Sequence, residues 1–101
     1  MTGRKLKLPP VHAGEILREE FMAPLGLSIN ALARALHTPA NHVSGIVNRK
    51  RGVSATMALR LSRYFGASPD LWLGLQLDYE LDLARDTSAA RVEREVLPRA
   101  S

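Results

Sequence analysis

The chain has 101 residues, 46% of them apolar, which leaves room for one domain around a modest core and none for a separate catalytic domain. It contains no cysteine, so disulfides, thiolate zinc sites and cysteine nucleophiles are excluded, and a reducing, cytoplasmic setting is expected. The net charge of +4 is uneven: eight Lys/Arg stand against three Glu up to Arg51, then six Arg against seven acids.

Residues 1–10 (MTGRKLKLPP) read as a basic arm, because Pro9-Pro10 bars a helix there and then launches one. A first helix is expected over about 11–22, burying Ala13, Ile16, Leu17 and Phe21, with Pro24 and Gly26 ending it. A second follows Ser28, its apolar face marked by Ile29, Leu32, Ala33 and Leu36. Thr38 then offers a side-chain cap, and Pro39 is the residue best tolerated at a first helical position. The third helix buries Val43, Ile46 and Val47, points Asn41, His42, Ser44 and Asn48 elsewhere, and leaves through Arg49-Lys50-Arg51-Gly52.

Ser54 caps a fourth helix, with Met57, Ala58, Leu61, Tyr64 and Phe65 on its inner face and Gly66 as its left-handed stop. Ser68-Pro69-Asp70 starts a fifth that continues to about Arg85. The chain thus divides into an arm (1–10), a domain (11–85) and a tail (86–101) with one turn of helix around 91–96. The fold class is all-α: five helices in the lambda-repressor-like plan. No apolar run approaches the roughly 20 residues of a membrane span, and the N-terminus lacks a signal-type apolar core, so no membrane is expected as a partner.

Two short helices, a tight turn, a polar outward face and a basic exit describe a helix-turn-helix, whose second helix enters the major groove of DNA. The basic half of the chain is the half that holds it, as phosphate binding requires. The N-terminal turn and one outward stripe of such a helix reach base edges, which assigns Pro39, Ala40, Asn41, Ser44 and Gly45 to bases, with His42 alongside. Asn41 is the best reader, since its amide pairs bidentately with adenine. Phosphates fall to Arg34, Asn48, Arg49, Lys50 and Arg51, and to the starts of the second and third helices at Ser28 and Thr38.

The order GEILREEF, LGLS, LARAL, NHVSGIVNRKRGVS, MALRLSRYFG, SPDLWLGLQLDYEL closely resembles the HigA antitoxins, the helix-turn-helix partners of HigB toxins. The resemblance covers about Pro10 to Leu83, and it is most specific at Gly14-Glu15-Ile16-Leu17, Ile46 to Gly52, and Trp72-Leu73-Gly74-Leu75-Gln76. It implies a type II antitoxin that neutralises an mRNA-cleaving toxin and represses its own operon as a dimer. One departure matters. Asn48-Arg49-Lys50 stands where the family has Asn-Gly followed by a basic residue, and a non-glycine at positive φ costs about 1 kcal/mol. Either the turn is rebuilt or a phosphate contact from Arg49 offsets the strain.

His12, His37 and His42 lack the companions of a metal site, and no cofactor is expected. Asp78, Asp82 and Asp86 read as a solvated face paired with Arg85, and Trp72, Leu75 and Tyr79 as core. Leu73, Leu77 and Leu81 form a second apolar stripe on the same helix; one core needs one stripe, so the spare one is assigned to a homodimer interface. With no nucleophile–base pair or phosphate loop, the chain is not read as an enzyme. A stand-alone repressor is the alternative to the antitoxin, and a toxin-binding module without DNA recognition is the third reading. An adjacent gene for a small basic toxin separates the first two.

Overall fold

The computed structural model describes residues 11–100; the basic arm expected at 1–10 and Ser101 lie outside the described residues. The first helix, α1, occupies 13–25 and changes pitch along its length. Ala13–Ile16 and Ala23–Leu25 are α-helical, and Leu17–Met22 between them is a π-helix, with the Ala23 N–H bonded to the Arg18 carbonyl. The expected end at residue 22 is thereby corrected. Pro24 lies within the last turn, where its ring crowds the carbonyl four residues back in a regular α-helix; the wider π turn upstream relieves that crowding. Gly26, left-handed at φ 65°, is the stop.

Then come α2 (Ile29–Leu36), α3 (Ala40–Val47), α4 (Ala55–Phe65) and α5 (Pro69–Glu95). Ser54 caps α4 as expected, and Ser28 caps α2 in the same way, accepting the N–H groups of Met57 and Ala31 respectively. The last helix corrects the expectation of an end near Arg85. Nothing in the sequence between Gly74 and Pro98 breaks a helix, and Leu81, Ala84, Ser88 and Val92 continue one spacing of three or four.

One residue from each helix meets in the centre: Leu17, Leu32, Ile46, Leu61 and Trp72, all fully buried. Each contributes roughly 1.5–3 kcal/mol of transfer free energy before chain entropy is counted. Phe21 is half-buried and packs against Phe65 and Trp72, at ring-centroid distances of 5.0 and 4.9 Å. Two inner-face assignments do not hold: Ile16 is half-buried but outside the core cluster, and Tyr64 is 44% exposed, at the edge of α4 against Phe65.

The core uses only one side of α5, and that helix packs chiefly on α4 and α1. Leu73, Leu77 and Leu81 are 36%, 55% and 40% exposed. A shallow apolar trough continues their line through Ala84, Ser88 and Val92. Asp82 pairs with Arg85 at 3.8 Å on the solvated side. Among the described residues no helix is long and apolar enough to cross a membrane.

Candidate nucleic-acid interface

The turn of the helix-turn-helix is made without glycine. His37 ends α2 in the left-handed region (φ 53°), its N–H bonded to the Arg34 carbonyl at 3.2 Å, while the Thr38 N–H reaches the Ala33 carbonyl at 3.0 Å. This pair of bonds closes a Schellman motif, and histidine is one of the few non-glycine residues enriched at positive φ. Thr38 does not cap α3, contrary to expectation. Its hydroxyl donates to the Leu36 carbonyl at 3.2 Å, which also accepts from the Arg60 guanidinium at 2.8 Å. Pro39 is instead the half-in residue at the start of α3, and no side chain caps that end.

The consequence is electrostatic. The first amides of α3 keep their hydrogens for an external acceptor, at the positive end of the helix dipole. Pro39, Ala40 and Asn41 are exposed at this tip, and His42, Ser44 and Gly45 are half-buried further along. A trough lined by Asn30, Arg34, Thr38 and Ala40 opens between α2 and the tip, with Ser28 and Arg34 exposed on α2.

At the other end of α3, Arg49 sits at φ 61°. Its N–H bonds the Ile46 carbonyl at 3.0 Å, and the Lys50 and Arg51 N–H groups share the Gly45 carbonyl at 2.8 and 3.2 Å. The turn is therefore kept, with arginine in the seat expected of glycine, and the strain is retained. The Arg49 side chain lies 3.8 Å from Glu15, an exposed pair worth little by itself. A second trough opens here, lined by Glu15, Arg18, Asn48 and Arg49. Asn48 donates to the Ser44 hydroxyl at 3.0 Å, which leaves the Ser44 O–H still able to donate.

Glycine at two positions is explained by close approach. A Cβ on Gly45 would stand 2.8 Å from the Arg51 Cδ, so the absent side chain lets Arg51 lie along α3. A Cβ on Gly14 would collide with the Ile46 carbonyl, so α1 touches the backbone of α3 directly. His42 is held below the usual histidine range, by burial first and then by the Arg51 charge.

The residues that hold the exit loop are ones the sequence reading missed. His12 is buried and caps α1, its Nδ1 accepting the Gly14 N–H at 2.8 Å, with the Tyr79 ring edge-on at 4.8 Å. The Arg51 backbone lies near the His12 ring and favours its charged form. Burial and then the Arg49 charge lower its pKa, and the Arg51 contact opposes them. Gln76 on α5 accepts the Val53 N–H at 3.1 Å, and its amide covers Gly52 at 2.6 Å from where a Cβ would be. Gln76 Nε2 in turn donates to Glu80 at 2.6 Å, which fixes the amide's orientation.

The helix-turn-helix family HTH_3 matches residues 17–72. The chain is 49% identical over 80 residues to virulence-associated protein I of Dichelobacter nodosus, spanning 79% of this chain and 74% of that one. It is 40% identical over 74 residues to antitoxin HigA-1 of Vibrio cholerae, spanning 72% and 69%. The solved structure of the Pseudomonas aeruginosa antitoxin HigA with the higBA promoter superposes with a TM-score of 0.86 at 45% identity, covering 90% of this chain and 99% of that one.

Proposed function

Because the chain belongs to the HigA family of helix-turn-helix proteins, we propose that it is the antitoxin of a type II toxin–antitoxin pair. It binds the operator of its own operon as a repressor and neutralises a HigB-type, mRNA-cleaving toxin. The observation that carries the DNA half is the bare tip of α3, uncapped and flanked by exposed Asn41, with a cationic loop at the far end of the same helix. Asn41 reads a base edge, Ser44 and His42 line the groove, and Ser28, Arg34, Lys50 and Arg51 hold phosphates on either side. The work is binding rather than catalysis, and it takes place in the cytoplasm where operator and mRNA are.

The functional unit is a two-fold dimer. A single helix-turn-helix reads too few base pairs for a genomic site, and a palindromic operator answers a paired protein with half-sites about 34 Å apart. The exposed line of Leu73, Leu77 and Leu81, prolonged through Ala84, Ser88 and Val92, supports pairing along α5.

Two measurements test this reading. The full chain is titrated against its own promoter, and it is co-expressed with the product of an adjacent toxin gene. Salt-dependent operator binding and rescue of growth are expected; binding without any toxin to neutralise would favour the stand-alone repressor. In the same assay, L77D/L81D is expected to give a folded monomer by light scattering that has lost operator binding by 100-fold or more, on the order of two half-sites against one. A dimeric double variant would place the interface elsewhere.

A further inference from the structure

The Arg49–Gly52 loop has to meet the DNA backbone in one register with α3, yet it is an exposed turn built around a strained arginine. Its own hydrogen bonds run only back to Ile46 and Gly45. Two side chains remote in sequence supply what the turn lacks. His12 is buried at the start of α1, against Tyr79 of α5. Since its Nδ1 accepts from Gly14, the proton of the neutral ring is on Nε2, which leaves that N–H as the ring's one donor, with the Arg51 backbone near the ring. Gln76 grips the other end of the loop through the Val53 N–H and lies flat over Gly52.

We propose that His12 and Gln76 are positioning residues of the DNA site, fixing the backbone at Arg51 and Val53 so that Lys50 and Arg51 meet phosphates together with the reading face of α3. Neither side chain touches DNA. They act through the loop, one from the cap of α1 and one from the inner side of α5. This inference rests on the operator-binding reading above. It adds that the phosphate contacts of this loop depend on two uncharged side chains far from it in sequence.

The experiment uses the full chain, its promoter duplex and a scrambled duplex, with affinity measured across a salt series well below the melting temperature. H12N keeps a good cap acceptor for the Gly14 N–H but is too short to reach Arg51, whereas H12A loses both contacts. H12N is expected to regain most of the thermal stability that H12A loses. It should still bind promoter about fivefold more weakly per lost phosphate contact at physiological salt, with a salt slope shallower by about one per contact. Its preference for promoter over scrambled DNA should remain. Q76M, which keeps the bulk over Gly52 and removes the acceptor, is expected to show the same shallower slope with α1 untouched, and it decides the matter if the His12 variants do not fold. Wild-type slopes in H12N or in Q76M would overturn the proposal, leaving those residues a cap and a packing contact. Absence of promoter binding by the wild-type chain would overturn the operator reading itself, a separate outcome.

Discussion

The two ends of α3 each open onto a trough, but they are built in opposite ways. At the start, the motif is closed by local contacts: His37 turns, Thr38 and Arg60 satisfy the Leu36 carbonyl, and the α3 amides are left bare. At the exit, the loop is held by Glu15, His12 and Gln76, which come from α1, from the residue before it, and from α5. The bare end suits base reading, where the partner's own atoms complete the hydrogen bonds. The braced end suits a charge clamp, where several cations must share one geometry. Under the proposed operator-binding role, the reading end can change with the operator without disturbing the core, while the clamp is tied to the fold.

The most severe way to break this contrast is at Gly14, where α1 meets the α3 backbone beneath the clamp. A methyl there must push Ile46 and α1 apart, and both partners are backbone, which cannot rotate aside. G14A is expected to destabilise the protein by about 3 kcal/mol or more, the upper range of overpacking, measured by urea denaturation. A loss under about 1 kcal/mol would mean that α1 slides without cost.

The next comparison separates the two ends by what they read. N41A should cost about 1–3 kcal/mol of specific affinity and relax the preference at one base pair. K50A should weaken promoter and scrambled DNA alike and reduce the salt slope by about one. If N41A left the specificity ratio intact, α3 would present a different face to the groove.

The same contrast explains what the sequence could reveal. Apolar spacing located the helices from α1 to α4, and the family pattern pointed to Arg49 as the residue at positive φ, because these signals lie within one or two turns of chain. His37 carried no such mark. It is not glycine, and its left-handed turn is closed by the backbone bonds of His37 and Thr38 to Arg34 and Ala33. Gln76 was invisible because its partner, Val53, is 23 residues away and neither follows a periodic pattern. His12 was taken for the interior of a helix starting at residue 11, although it is the cap that begins one. A polar residue two positions after Pro10 and two before Gly14 was the available hint. The last helix runs past the stop expected near Arg85, because the polar run Asp86-Thr87-Ser88 lowers helix propensity without breaking the helix.

A smaller effect sharpens the view of the clamp. R49G removes the left-handed strain of Arg49 and also its charge and its pairing with Glu15. Relief of strain is worth about 1 kcal/mol, part of which is lost to the freer unfolded chain, and the exposed pair contributes little. The variant should melt a few degrees higher, by about 0.5 kcal/mol, and bind DNA with a slope shallower by about one. Higher stability with weaker binding would mark Arg49 as a residue retained for DNA; lower stability would assign its value to Glu15.

The smallest effect is on pH, and the two ends feel it in the same sense. His12 under the clamp and His42 on the reading helix both have pKa values below the ordinary 6.5, with burial the main cause in each. The unfolded chain therefore takes up protons first as pH falls, so stability is full above about 6.5 and declines below it. The decline stops once the folded histidines also titrate. Melting temperatures at pH 7.5, 6.5 and 5.5 should fall for the wild type and fall less for H12N, so the gap between the two narrows with acidity. His42 lies exposed enough to be rescued by DNA, whose phosphates favour its charged form, whereas His12 must surrender its Nδ1 acceptor to Gly14 when it is protonated. Bound operator should then flatten the part of the pH dependence that H12N retains and leave the His12 part in place. A wild type whose melting is as insensitive to this pH window as H12N would mean that the Gly14 cap survives protonation and that the brace is looser than its hydrogen bonds imply.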